Sequence, residues 1–192
     1  MTTPKPRVGV SACLIGWEVR YAGGHKWTAT VAEDIGRSVE WIPVCPELEI
    51  GLGVPREAIE LVGDAAAPEL IAVESRRVLT NTMNEWAVRR LEELDRHELA
   101  GYVLKARSPS CGPRGVPVST GVPSSGEINQ PAAATPQPAA APQPTGTGLF
   151  ARALMHRFPG LPIVDETELG NPEAIARFVA AVTDYWRSCR LR

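Results

Sequence analysis

Three cysteines each follow a short apolar run, and this pattern constrains the chain more than any other feature. Cys13 follows the run 8–12, Cys45 follows the run 41–44, and Cys111 stands a few residues after the run 101–104. Each run has the length of a buried strand. In a parallel α/β sheet, ligands bind at the carboxyl ends of the strands. The pattern therefore predicts that three strand ends bring the three thiols to one point.

The rest of the chain alternates strand-like and helix-like segments. This alternation predicts a three-layer α/β domain with a mainly parallel sheet. Two short strands, joined by a hairpin-like excursion over 63–68, are predicted at 59–62 and 70–73. Helices are predicted at 28–40, at 81–97 with Thr80 as the N-cap, at 146–157 and at 171–186.

A single domain spanning residues 1–192 is expected from the chain length. One segment inside it differs in composition. Residues 122–145 consist largely of Pro, Ala, Gln, Ser, Thr and Gly, and they hold almost no side chains that could form a core. We expect this segment to be a disordered or weakly polyproline insertion that interrupts the domain without ending it.

Charge and cysteine usage exclude several classes of protein. The net charge of −2 gives no electrostatic basis for non-specific nucleic-acid binding. No apolar run approaches the roughly 20 residues that span a bilayer, and residues 1–7 lack a signal-peptide core, so a cytoplasmic location is expected. Four cysteines in such a chain are not a typical disulfide framework, and none are paired as C-x-x-C. Cys189 lies in the terminal stretch 186–190, which has no turn residues around it, and is interpreted as a bystander.

Three converging thiolates allow two kinds of metal site. They can bind one zinc ion with an open water position, or a four-iron cluster with one free iron. The alternative is that they are buried small apolar residues. Glu47, two residues after Cys45, is either a helix-capping group or a general base. Arg20 and His25 flank the Gly23-Gly24 turn, where the backbone can approach a ligand closely.

Four ordered motifs at compatible spacings identify a family. They are Ser11-Ala12-Cys13-Leu14-Ile15-Gly16, Val19-Arg20-Tyr21 followed by Gly23-Gly24-His25-Lys26, Cys45-Pro46-Glu47, and Lys105 followed by Ser108-Pro109-Ser110-Cys111-Gly112. Together they resemble the DUF523 family of TudS-type thiouracil desulfidases over nearly the whole chain except the insertion. The segments 49–56 and 101–105 are similar to the branch fused to a second domain, the RudS-type tRNA 4-thiouridine desulfidases. Ala22 departs from the Asp that is usual there, near a loop that the resemblance implies is close to the substrate.

The resemblance implies specific roles for residues of this chain. Cys13, Cys45 and Cys111 match the ligands of a [4Fe-4S] cluster whose open iron takes the substrate sulfur. Glu47 matches the family's catalytic glutamate, which activates water, and Ser108 matches its catalytic serine, which relays a proton as the sulfur leaves. Substrate contacts are expected from Arg20, His25, Lys105 and Ser110.

The function predicted in this way is desulfuration of a thiolated pyrimidine, such as thiouracil or thiouridine. A free base or nucleoside is favoured over tRNA, because the chain lacks a basic surface and the fused domain. Two alternatives stay open at this stage: a non-catalytic carrier or sensor of iron–sulfur or sulfide, and a three-cysteine zinc hydrolase. The sulfur acceptor, the preference for 2-thio or 4-thio substrates and the oligomeric state are not encoded in these motifs.

Overall fold

Eight short strands and four helices make up the computed structural model of the chain, which describes residues 4–120 and 145–190. The strands are β1 (Arg7–Ser11), β2 (Glu40–Val44), β3 (Ile59–Val62), β4 (Glu69–Ala72), β5 (Leu99–Leu104), β6 (Val116–Ser119), β7 (Thr145–Gly146) and β8 (Ile163–Asp165). The helices are α1 (Pro46–Glu49), α2 (Thr80–Arg96), α3 (Leu149–Arg157) and α4 (Pro172–Arg190). Two 3₁₀ turns, Ala12–Ile15 and Glu166–Leu169, and a π-helical turn, Thr30–Ile35, complete the secondary structure.

The central sheet is parallel, with the strand order β2-β1-β5-β8. All six residues of β5 are buried, as expected for a strand covered on both faces. β1 lies between β2 and β5, and Gly9 of β1 stands beside Tyr102 of β5. A Cβ atom at Gly9 would lie 2.2 Å from two carbons of the Tyr102 ring, so this position requires glycine. The predicted parallel sheet is confirmed.

A second, mixed sheet has the order β4-β3-β6-β7. The predicted hairpin is confirmed, because β3 and β4 pair antiparallel from Ile59 with Ala72 to Val62 with Glu69. β6 joins β3 in parallel and pairs antiparallel with β7. The sequence did not indicate β6, because Pro117 interrupts its short apolar run.

Helices cover both faces of the central sheet, which confirms the three-layer architecture. One buried cluster joins the sheet to the π-helical turn and α4 through Val31, Ile35, Phe178 and Val182. The other cluster joins the opposite face to α2, α3 and the second sheet. The apolar face of α2 is buried at Met83, Trp86, Ala87, Leu91 and Leu94. Among the described helices, none combines the length and apolar character needed to cross a membrane.

Two predicted features differ from the structure, and a third lies almost entirely outside the described residues. The crossover helix predicted at 28–40 is only the π-helical turn Thr30–Ile35, although Val31, Ile35 and Val39 are buried as expected. The predicted insertion, 122–145, lies outside the described residues except for Thr145, which begins β7. Thr80 is the first residue of α2 rather than its N-cap, because its hydroxyl group binds the neighbouring strand.

The Thr80 hydroxyl fastens α2 to β4. Its Oγ1 accepts a hydrogen bond of 2.9 Å from the backbone N–H of Leu70, whose side chain is fully buried. We expect Thr80→Val to leave this N–H unsatisfied and to lower the free energy of unfolding by about 1–3 kcal/mol. Thr80→Ser retains the oxygen and should lose much less. Urea denaturation of both variants measures the difference, and equal losses would contradict a role for the hydroxyl.

Candidate active site

Three neighbouring strand ends carry the three cysteines to one cavity. Cys13 lies in the 3₁₀ turn after β1, Cys45 directly follows β2, and Cys111 lies in the loop after β5. Because β1, β2 and β5 are parallel neighbours, their carboxyl ends share one edge of the sheet. All three residues line a cavity of ≈ 340 Å³. Cys189 is exposed on α4 and does not line this cavity.

The three thiols are held in an uncharged state by their surroundings. Burial, and then the negative charge of Glu47, raise the pKa of Cys13 to about 11 and that of Cys45 to about 12. The pKa of Cys111 is raised well above its usual value by burial, by Glu47 and by the two other cysteines. A positively charged group bound in the cavity would offset this cost and favour the thiolates.

The three cysteine thiols at one cavity are a donor set that suits an iron–sulfur cluster. Among the residues that the structure describes, no group of three or more His, Cys, Asp or Glu side chains could hold one metal ion. The three thiols line a shared cavity, and each follows the end of a strand. Iron–sulfur clusters are held in this way by cysteine thiolates that bind different iron atoms.

Glu47 lies at the centre of the polar groups in the cavity. It is the second residue of the short helix α1, directly after Pro46. One carboxylate oxygen, Oε1, lies 3.5 Å from the hydroxyl group of Ser108, and the other, Oε2, lies 3.5 Å from the sulfur of Cys45. The guanidinium group of Arg56 lies 3.7 Å from Oε2. The carboxylate is therefore fixed between a hydroxyl, a thiol and a cation, with only 13% of its side chain exposed.

The Ser108 hydroxyl is oriented by the loop that carries Cys111. Its oxygen accepts the backbone N–H groups of Ser110 (3.2 Å) and Cys111 (3.0 Å). With these donors on the oxygen, the hydroxyl proton is left to point at Glu47 Oε1. The arrangement is a hydrogen-bonded pair of a carboxylate and a hydroxyl, which can take up and pass on a proton.

The start of α3 holds the same loop in place. The N–H groups of Gly148, Leu149 and Ala151 donate to the carbonyl oxygens of Gly112 (2.8 Å), Pro109 (3.1 Å) and Ser110 (3.1 Å). The first N–H groups of a helix have no partner inside the helix, and here the Cys111 loop supplies one. These donors are therefore already engaged by the loop and are not free to bind an anion.

The structure divides the expected substrate-binding residues into two pairs. Arg20 and Lys105 line the cavity. His25 does not: it is exposed, and its Nδ1 accepts the backbone N–H of Trp27 at 3.1 Å. Ser110 is fully buried behind the loop rather than facing the cavity. Direct substrate contact by His25 or Ser110 is not supported by this arrangement.

Two charged residues of the site were missed by the sequence analysis. Arg56 donates to the carbonyl oxygens of Gly53 and Val19, both at 2.8 Å, as well as standing beside Glu47. Glu166 forms an ion pair with Lys105 and accepts the Ala106 N–H at 2.6 Å. Glu166 directly follows β8. A carboxylate directly after a strand is a sequence signal that could have indicated a residue of the site. No local signal pointed to Arg56.

Comparison with known proteins places the chain in a family. The profile of the 2-thiouracil desulfurases matches residues 8–166. YbbK, an uncharacterised protein of Bacillus subtilis strain 168, is 32% identical over 108 residues, which is 54% of this chain and 71% of YbbK. The solved structure of the [4Fe-4S]-dependent thiouracil desulfidase TudS superposes with a TM-score of 0.64 at 25% identity, covering 92% of this chain and 99% of TudS.

The match spans the central sheet and all three strand ends that carry the cysteines. It confirms the resemblance drawn from the four sequence motifs, and the likeness to TudS confirms the fold class. This chain belongs to the 2-thiouracil desulfurase family, DUF523, and is a desulfidase enzyme.

Proposed function

We propose that this chain removes sulfur from a thiolated pyrimidine, using a [4Fe-4S] cluster held by Cys13, Cys45 and Cys111. The observation that carries the proposal is the shared cavity, which these three thiols line together with Glu47 and Ser108. Family membership supports the substrate class, and the dependence of TudS on a [4Fe-4S] cluster supports the cofactor. When bound, the cluster would supply an iron with a free coordination position, a Lewis acid for the substrate sulfur.

The protein's own contribution is the movement of protons. Glu47 takes a proton from a water molecule as the water oxygen attacks the ring carbon that bears sulfur. Ser108, 3.5 Å from Glu47, relays that proton towards the substrate as the C–S bond breaks. The net reaction exchanges C=S for C=O, consumes one water and releases sulfide with its protons, so no electrons are transferred. Lys105 and Arg20 lie on the cavity wall, where their charges would hold the pyrimidine.

The cavity favours a small substrate. Its volume of ≈ 340 Å³ lies at the lower end of the range for small-molecule sites, about 300–1,000 Å³. Together with the net charge of −2, this supports a free thiolated base or nucleoside rather than tRNA. We propose that the reaction takes place in the cytoplasm.

Loss of one cysteine ligand should remove the cofactor and the activity together. We expect the wild-type protein, purified without oxygen, to be brown, to hold about four iron and four sulfide per chain, and to convert thiouracil to uracil. Cys111→Ala should lose the colour, most of the iron and the turnover. Cys189→Ala removes an exposed cysteine and serves as the matched control, which should resemble the wild type. A colourless wild type without iron after anaerobic reconstitution would refute the proposal.

A further inference from the structure

Lys105 has one hydrogen-bond donor left for a ligand in the cavity. Its Nζ donates to the carbonyl oxygen of Ala106 at 2.9 Å and to the Oε1 atom of Glu166. An ammonium group carries three N–H donors. Within the described part of the chain, no third acceptor contacts Nζ, and Lys105 lines the cavity. Because two of its N–H groups are held, the tetrahedral geometry of the nitrogen fixes the direction of the remaining one.

Glu166 binds both the ammonium group of Lys105 and the backbone that follows it. Oε1 accepts from Lys105 Nζ, and Oε2 accepts the backbone N–H of Ala106 at 2.6 Å. Both carboxylate oxygens are therefore engaged. Glu166 itself does not line the cavity. A substrate there would contact Lys105, and Glu166 can act on the substrate only through Lys105.

The pairing of β5 with β8 places the two side chains next to each other. The last residues of this parallel pairing are Leu104 and Asp165, and Lys105 and Glu166 are the residues that follow them. The turn that begins at Glu166 is closed by a capping box on Asp165. The backbone N–H of Lys105 donates to Ser11 Oγ at 2.9 Å. The sheet thus fixes the ion pair before a substrate binds.

The ion pair cancels the charge of Lys105. The exposed fraction of the side chain is 23% for Lys105 and 14% for Glu166, so solvent screens the pair only weakly. Arg20 also lines the cavity, but it forms no ion pair within the described residues, and its guanidinium group lies 5.6 Å from the centre of the Tyr21 ring. An anion would gain little from a pair without net charge. The remaining N–H of Lys105 therefore suits an uncharged acceptor, such as a carbonyl oxygen.

We infer that Glu166 is a positioning residue, which makes Lys105 a single directed donor to an uncharged carbonyl oxygen of the substrate ring. The inference rests on the proposed function and names its substrate class, thiolated pyrimidines of the uracil type. With the C=S group at the reacting position, 2-thiouracil presents a carbonyl as its other exocyclic group, whereas 2-thiocytosine presents an amino group. The amino group is itself a donor and would leave the Lys105 N–H unpaired. Sites built on a hydrogen bond reject such analogues strongly.

Glu166→Gln tests the inference, because it removes the charge at nearly unchanged size. The amide places an NH₂ donor where one carboxylate oxygen stood, against either the Lys105 ammonium group or the Ala106 N–H. In the anaerobically loaded protein, we expect KM for 2-thiouracil to rise about tenfold and kcat to stay within about threefold, since Glu47 and Ser108 are untouched. The Kd of uracil, the reaction product, should rise by a similar factor in calorimetry. Glu85→Gln, an exposed carboxylate on α2 outside the cavity lining, is the matched control.

Substrate preference separates positioning from a merely structural role. In the wild type, kcat/KM for 2-thiouracil should exceed that for 2-thiocytosine by about a hundredfold or more. Glu166→Gln should reduce this ratio about tenfold. Lys105→Met removes the donor itself, and adding Glu166→Gln to it should raise KM no further, because Glu166 acts through Lys105. The double variant leaves neither partner of the ion pair charged, so urea denaturation should show it folded.

Each outcome decides the inference. An unchanged Kd for uracil and an unchanged preference in Glu166→Gln, at wild-type iron content, would overturn the inference and leave the proposed function in place. Equal losses with both thiopyrimidines, or additive increases of KM in the double variant, would show that Glu166 acts independently of Lys105 and would also overturn it. If the wild type binds uracil but converts no thiolated pyrimidine, the proposed function fails, and the Kd of uracil in the variants still tests the roles of Lys105 and Glu166.

Discussion

Replacing Glu47 with Gln should lower kcat for thiouracil desulfuration by about 10²–10⁴-fold, the usual contribution of a positioned general base. The substitution keeps the shape of the side chain and removes only its capacity to take a proton. The carboxylate contacts the Ser108 hydroxyl, the Cys45 sulfur and Arg56, and all three lie within reach of an amide as well. The iron content should therefore stay at the wild-type value. Steady-state kinetics together with iron analysis checks both parts.

The same variant distinguishes an enzyme from a carrier. A protein that stored or sensed sulfide would tolerate Glu47→Gln, because binding needs no proton acceptor. Glu18→Gln is the matched control, since Glu18 is an exposed carboxylate that does not line the cavity. Undiminished turnover in Glu47→Gln, with normal iron content, would remove Glu47 from the mechanism.

Gly148→Ala should lower both the stability and the iron content, although Gly148 does not line the cavity. A Cβ atom there would stand 2.5 Å from the carbonyl oxygen and 2.6 Å from the carbonyl carbon of Ser110, and 2.9 Å from the carbonyl oxygen of Ser108. These are backbone atoms, so the loop that carries Ser108 and Cys111 has to move. We expect a loss of about 1–3 kcal/mol in the free energy of unfolding. Iron content and turnover should both fall at least tenfold.

The backbone angles of Gly148 make the steric origin of this effect testable. Its φ of −58° and ψ of 145° suit any residue, so alanine meets no backbone strain there. Gly170→Ala is the control, because Gly170 has a φ of −74° and its nearest neighbour to a Cβ is 3.8 Å away. Urea denaturation and iron analysis compare the two. Wild-type stability and iron content in Gly148→Ala would show that the loop does not depend on its contact with α3.

The sequence indicated the cysteine site because its signals are local. An apolar run followed by a cysteine is visible within about six residues, and parallel strands necessarily end at one edge. For the same reason the hairpin of β3 and β4 and the apolar stripe of α2 could be predicted. Glu47 could be predicted because it stands two residues after Cys45. Ser108 could be predicted because it belongs to a motif of the family.

Local sequence patterns did not predict the contacts made by the polar ends of two side chains, Arg90 and Thr80. Arg90 shares the helical spacing of the apolar stripe of α2, a pattern that accounts only for its aliphatic stem. Its guanidinium group in fact pairs with Glu49, which holds the backbone of Cys45. In the same way, Thr80 is a residue type that is common at N-caps. Its hydroxyl group instead accepts a hydrogen bond from the backbone N–H of Leu70 in β4. The contacts of a side chain's polar end depend on its tertiary neighbours. The spacing of apolar residues along a helix carries no information about those neighbours.

By itself the sequence determined the strand ends, the three thiols at one edge of a parallel sheet and the family. Only the tertiary structure decided what surrounds those thiols. It placed Arg56 beside Glu47, Glu166 beside Lys105, and the start of α3 against the Cys111 loop. It also buried the Tyr102 hydroxyl, which has no partner among the residues that the structure describes. The physical reason is that hydrogen bonds and ion pairs between different elements of the fold depend on how those elements pack, and packing has no signature in a short stretch of chain.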